Sequence, residues 1–118
     1  MQNKEIHTPI TIYALDELCA DDQQLIQSAI EATQRSYAPY SKFSVGAAAR
    51  LANGTIVTGT NQENAAYPSG ICAERTTLFW ANSQYPKEPV EVFAIAARSA
   101  QGELEFPITP WCACRHVM

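Results

Sequence analysis

The order of apolar patterns along the chain predicts an α/β fold, a sheet of at least four strands with helices packed on it. Two observations carry that prediction. The patterns run β-α-β-β-α-β and then open a further helix. No repeat or linker divides them, and a length of 118 residues suits one domain spanning 1–118. Such a chain buries about 65% of the surface its unfolded form exposes, enough for one core.

The elements follow in order. Ile6, Thr8, Ile10 and Ile12 alternate with other residues, so Ile6 to Ala14 reads as a strand. Asp21 and Gln24 have capping-box spacing, and Leu25, Ile26, Ala29, Ile30 and Thr33 share one face of a 3.6 period. A helix should therefore run from Asp21 to about Tyr37, where Ala38-Pro39-Tyr40-Ser41 breaks it. Phe43 to Ala52 and Thr55 to Thr60 read as strands, joined by Asn53-Gly54 as a two-residue type I′ turn. A polar loop covers Asn61 to Gly70. A second helix runs from Ile71 or Cys72 to Gln84, with Leu78 and Ala81 facing inward and Trp80 packed at its end. Pro86 and Pro89 stop it, and the apolar run Val90 to Arg98 reads as a buried strand. A turn around Gly102 and a loop bracketed by Pro107 and Pro110 lead to Cys112, where a last helix opens and the sequence stops.

Composition narrows the function. Nearly half the residues are apolar, and the net charge of −4 argues against a nucleic-acid backbone as the main partner. No apolar run approaches the roughly 18 residues of a membrane span, so no membrane is expected. The opening M-Q-N-K-E-I-H-T has no apolar core of a signal peptide, so a reducing, cytoplasmic setting is the expectation. The cysteines at 19, 72, 112 and 114 are then ligands, nucleophiles or core residues before they are a disulfide framework.

The densest chemistry lies in N-Q-E-N-A-A-Y-P-S-G-I-C-A-E-R, Asn61 to Arg75. Cys72 at a helix start faces the positive end of the dipole, which favours a thiolate and makes it a competent zinc ligand. Alone it would read as a small buried hydrophobe. Cys112 and Cys114 open a second helix, and two such helix starts converging would make a zinc cage. Three thiolates leave a fourth position for water, the pattern of a catalytic site. Glu74, two residues after Cys72, could move that water's protons as general base and then general acid. Alone it is an ordinary acid of a first helical turn. Arg75 could hydrogen-bond a cysteine sulfur and offset the negative charge of the cage; otherwise it is a surface arginine.

C-A-E-R-T after N-Q-E-N-A-A-Y, preceded by S-Y-A-P-Y-S-K-F-S-V-G-A-A, resembles the small homotetrameric cytidine deaminases from about Tyr37 onward. The wider zinc deaminase pattern is H-x-E followed by P-C-x-x-C, and a Cys at position 72 in place of the His resembles the free-nucleoside branch. The resemblance implies a three-layer α/β/α fold with a mixed sheet. It implies Zn2+ held by Cys72, Cys114 and Cys112, with Arg75 behind the ligands and Glu74 as proton shuttle. Asn61 and Glu63 would bind the ribose hydroxyls, as a buried amide and carboxylate suit a sugar. Phe43 would pack on the pyrimidine, and the backbone of Ala73 would contact the base. The substrate would be cytidine or deoxycytidine, and the assembly a homo-oligomer, a tetramer by resemblance or a dimer.

Two features depart from that pattern. The second motif reads Pro110-Trp111-Cys112-Ala113-Cys114-Arg115, so Trp111 takes the place of the first ligand and the pair is C-x-C. Residues i and i+2 of a helix point about 200° apart, so Cys112 could ligate only from the turn before the helix. By the resemblance, family members continue with the rest of that helix and two further strands, so the chain reads as C-terminally truncated, with the last helix and strands missing. Both departures define an alternative, a deaminase-fold remnant that only binds metal or oligomerises. A thiol redox protein using Cys112 and Cys114 is a third reading, but it leaves Cys72, Glu74 and the Asn61 cluster without a role.

Overall fold

The structure is a computed structural model that describes residues 2–5, 9–100 and 102–103. Helix α1 (Ala20–Ala32) is followed by strands β1 (Ser44–Leu51) and β2 (Ile56–Thr60), helix α2 (Ala73–Gln84), and strands β3 (Val90–Ser99) and β4 (Gly102–Glu103). The sheet order is β2-β1-β3-β4, with β1 at the centre.

Alternation along β1 builds the layers. On one face, Ala48 packs with Leu25 and Ala29 of α1, joined by Ile56, Val92, Ala94 and Ala96. Gly46 lies under the same helix, where an added Cβ would meet the Ala29 carbonyl. On the other face, Leu51 and Val57 pack against Ala81 of α2. The result is α1, sheet and α2 in three layers, as expected. Every strand-to-strand ladder among the described residues is antiparallel. The parallel component of the expected mixed sheet reduces there to one bridge, Tyr37 with Gln62.

Several local expectations need correction. Residues 9–14 form no strand; Ile10 and Ile12 are 75% and 87% exposed, and the chain tightens instead into a short 3-10 turn at Leu15–Glu17. Alternation alone does not make a strand without a ladder to join, and Pro9 has no N–H to offer one. Ile6 and Thr8 lie outside the described residues. Helix α1 starts after Cys19, with Asp21 and Asp22 inside its first turn as acids at the positive end. It ends at Ala32, five residues short of Tyr37, because the chain narrows to a 3-10 turn at Thr33–Arg35.

The hairpin loop has three residues. Leu51 N–H donates to Thr55 O and Gly54 N–H to Leu51 O, both at 2.9 Å. Gly54 alone carries positive φ, +88°, so this is the longer hairpin loop with a left-handed glycine, not a type I′ turn. On α2 the fully inward positions are Ala73, Glu74, Thr77 and Ala81; Leu78 is only half-buried, and Trp80 is 55% exposed. Strand β3 is half-buried from Val92 to Ser99, because α2 lies over β1 and β2. The expected turn at Gly102 contains β4, which pairs Gly102 with Ser99 and Glu103 with Arg98.

Candidate active site

The functional residues gather where β1 begins, β2 ends and α2 begins. Gln62 brings the three segments together. Its N–H and C=O exchange 2.9 Å hydrogen bonds with Ile71, and it forms a parallel bridge with Tyr37. Tyr37 N–H also donates to Asn61 O at 3.1 Å, and Glu63 N–H to Tyr37 O at 2.8 Å. The loop 63–70 is thereby closed at its base, with a 3-10 turn at Tyr67–Ser69, and the chain enters α2 from a fixed point. Tyr67, at its tip, is 75% exposed.

Cys72 is the residue just before α2, in extended conformation, and no side chain caps the helix. Its thiol therefore stands at the open end of the helix, beside unsatisfied backbone N–H groups. Cys72 is a free, half-buried cysteine, and Arg75 Nη2 donates to its Sγ at 3.7 Å. Glu74 is 6% exposed. Its carboxylate makes no hydrogen bond or ion pair with the described residues. With no described group occupying it, this carboxylate is available to a ligand or a proton.

Ala73 has no accessible surface, so a base could reach its backbone only by displacing what covers it. Phe43 is half-buried beside the start of β1. Asn61 clasps that strand, its Oδ1 accepting from Val45 N–H and its Nδ2 donating to Phe43 O, each at 2.9 Å. Glu63 is half-buried, less covered than a sugar-binding carboxylate was expected to be. Its Oε1 accepts from the N–H groups of Tyr40 and Ser41 at 3.0 and 3.1 Å. Hydrogen bonding from the Ser41 hydroxyl, then from the Ser41 and Tyr40 amides, with the charge of Lys42, holds this carboxyl below its ordinary value. Desolvation opposes them. The turn they cap includes Lys42 at φ +58°, a left-handed residue next to the site. Apart from the resemblance, the sequence reads Asn61 and Glu63 as loop polars that cap turns, and these backbone contacts agree with that reading.

The expected second ligand pair, Cys112 and Cys114, lies outside the described residues with Trp111 and Arg115. Among the described residues no group of three His, Cys, Asp or Glu side chains could hold a metal. Cys72 fits one position of a zinc site, a thiol on an open helix end with a guanidinium on its sulfur.

A thiol at an open helix start and, two residues on, a carboxylate with no partner among the described residues are set on a three-layer α/β/α domain, and the comparisons give the class, a zinc-binding hydrolytic enzyme. The family model of the cytidine and deoxycytidylate deaminase zinc-binding region matches residues 19–118. The chain is 42% identical over 98 residues to a cytidine deaminase of Halalkalibacterium halodurans, covering 83% of this chain and 70% of that protein. It is 41% identical over 98 residues to one of Sporosarcina psychrophila, covering 83% and 68%. The crystal structure of cytidine deaminase from Burkholderia pseudomallei matches with a TM-score of 0.71 at 42% identity, covering 80% of this chain and 72% of that one. The chain belongs to the cytidine and deoxycytidylate deaminase family, and its metal is zinc.

Proposed function

We propose that the chain catalyses hydrolytic deamination of cytidine and 2′-deoxycytidine to uridine and 2′-deoxyuridine, a step of pyrimidine salvage. The observation that carries this reading is Glu74, buried and unpartnered among the described residues, two residues after Cys72 at the start of α2. Cys72, Cys114 and, from the turn before the last helix, Cys112 would hold the ion. When bound, zinc supplies a water whose pKa is lowered towards neutrality.

Glu74 would take a proton from a water beside it and deliver it to N3 of the ring. It then passes the second proton to the amino nitrogen on C4. The water oxygen stays on C4, the C4–N bond breaks, and ammonia leaves. Arg75 holds the Cys72 sulfur in place through its Nη2 contact. Phe43 covers one face of the pyrimidine. The backbone of Ala73 meets the base once the site opens to it. Asn61 and Glu63 meet the ribose hydroxyls with the hydrogen-bonding capacity left after their backbone contacts are made. A reducing cytoplasm suits the thiolate ligands. A homotetramer suits the exposed Tyr67, Phe79 and Trp80, which a single chain leaves in water.

The test is zinc per chain on freshly purified protein, with loss of cytidine absorbance followed on the same sample. Stoichiometric zinc with turnover is expected. Absence of both would return the chain to the reading of a deaminase-fold remnant.

A further inference from the structure

Thr77 is a polar residue with no accessible surface, in the interior of a helix. Threonine is a weak helix former, and a buried hydroxyl is costly unless it is bonded. Alanine would be the better helix former here, so the hydroxyl needs a reason. Its Oγ1 donates to Ala73 O at 2.8 Å and lies 3.5 Å from Ala47 O on the central strand.

Directly beneath is Gly59, the register partner of Ala47. A Cβ at Gly59 would fall against Thr77 Oγ1, 2.8 Å from Thr77 N and 3.1 Å from Thr76 Cγ2. Gly59 has no positive φ, so space and not backbone conformation requires the glycine. One rung of the sheet, Ala47–Gly59, thus bears one turn of α2 at very close range. Glu74 is three residues back on the same inward face, about 4.5 Å along the axis. Thr77 and Glu74 therefore belong to the same turn of α2.

We propose that Thr77, seated over Gly59, is the positioning residue that sets the height and rotation of the first turn of α2. It thereby sets where the Glu74 carboxylate and the Ala73 peptide stand relative to the Cys72 thiol. The inference rests on the deaminase reading for its catalytic consequence, and on the packing alone for its structural one.

Thr77→Val removes the hydroxyl and keeps the shape, Thr77→Ser keeps the hydroxyl, and Gly59→Ala pushes the turn outward. With zinc content and thermal midpoint measured on each, Thr77→Val should lower kcat about tenfold and Gly59→Ala more, since small misplacements near a reacting group are this costly. KM should change less than kcat, because the ribose and ring-face contacts come from other elements and only the Ala73 peptide moves with this turn. Thr77→Ser should recover most of kcat. Amide exchange should quicken at positions 76 and 77 of Thr77→Val relative to Ala81–Gln84, and not in Thr77→Ser. A wild-type kcat in Thr77→Val overturns the proposal. So does a loss that Ser does not rescue, or exchange that changes equally along the helix. If the unaltered protein has no turnover, the deaminase reading fails, and the exchange comparison still decides the seat of α2.

Discussion

Gln62 and Ile71 exchange two backbone hydrogen bonds, each 2.9 Å long, and so fix the distance between the end of β2 and the start of α2. The polar loop between them can vary without moving Cys72, whereas this pair cannot. Gln62→Pro deletes the N–H donated to Ile71 O. It should cost about 1 kcal/mol of stability or more and raise KM for cytidine more than it lowers kcat. Denaturant unfolding and steady-state kinetics on the same variant check both.

Arg75 Nη2 stands 3.7 Å from Cys72 Sγ, and this contact should appear as metal affinity. Arg75→Ala should weaken zinc retention about 10- to 100-fold, the usual effect of losing a group that supports a ligand. Lysine at this position should restore only part, since it lacks the guanidinium's spread of donors. Competition with a chromogenic chelator measures the loss directly.

Asn61 uses both ends of its amide on β1, with Val45 N–H and Phe43 O. Asn61→Ala should destabilise the fold by about 2 kcal/mol, from two bonds lost at a half-buried site. Asn61→Asp keeps the acceptor and should cost less. If both variants unfold as the unaltered protein does, the clasp is not holding the strand.

Glu63 supplies a pH dependence. Its carboxyl is held below the ordinary 4.5 by hydrogen bonding from Ser41 and then Tyr40, and by Lys42. A depressed folded value means stability that is fully present above the ordinary value and lost as pH falls through the lower one. The unaltered protein should therefore be more stable than Glu63→Gln at neutral pH. The gap should narrow as pH falls below the ordinary 4.5 and close once it has passed the lower folded value. Thermal midpoints of the pair across that range provide the test.

The sequence made the centre of the site readable because its signals are local. A Cys and a Glu two apart at a helix start need only the helix boundary to acquire their geometry, and the boundary held to within a residue at Cys72. The β1–β2 hairpin was readable for the same reason, though Gly54 took the left-handed position alone and so changed the turn. What could not be read depends on distant partners. Ile10 and Ile12 alternate like a strand but have no described ladder to join, and Trp80 points outward at a position that reads as packing. Thr77 looks like an ordinary helical threonine until Gly59 is found beneath it, eighteen residues earlier in the chain. Asn61 and Glu63 were legible as a polar cluster, but their backbone partners lie on segments that only the fold brings near.

Glu74→Gln is the most direct test of the account, because it removes one proton-carrying oxygen and leaves size and burial unchanged. Zinc per chain and cytidine turnover should be measured together. The account predicts zinc at the level of the unaltered protein, with turnover reduced by at least about a hundredfold, as expected for a group that moves protons in the reacting step. Turnover close to that of the unaltered protein, with zinc retained, would contradict it.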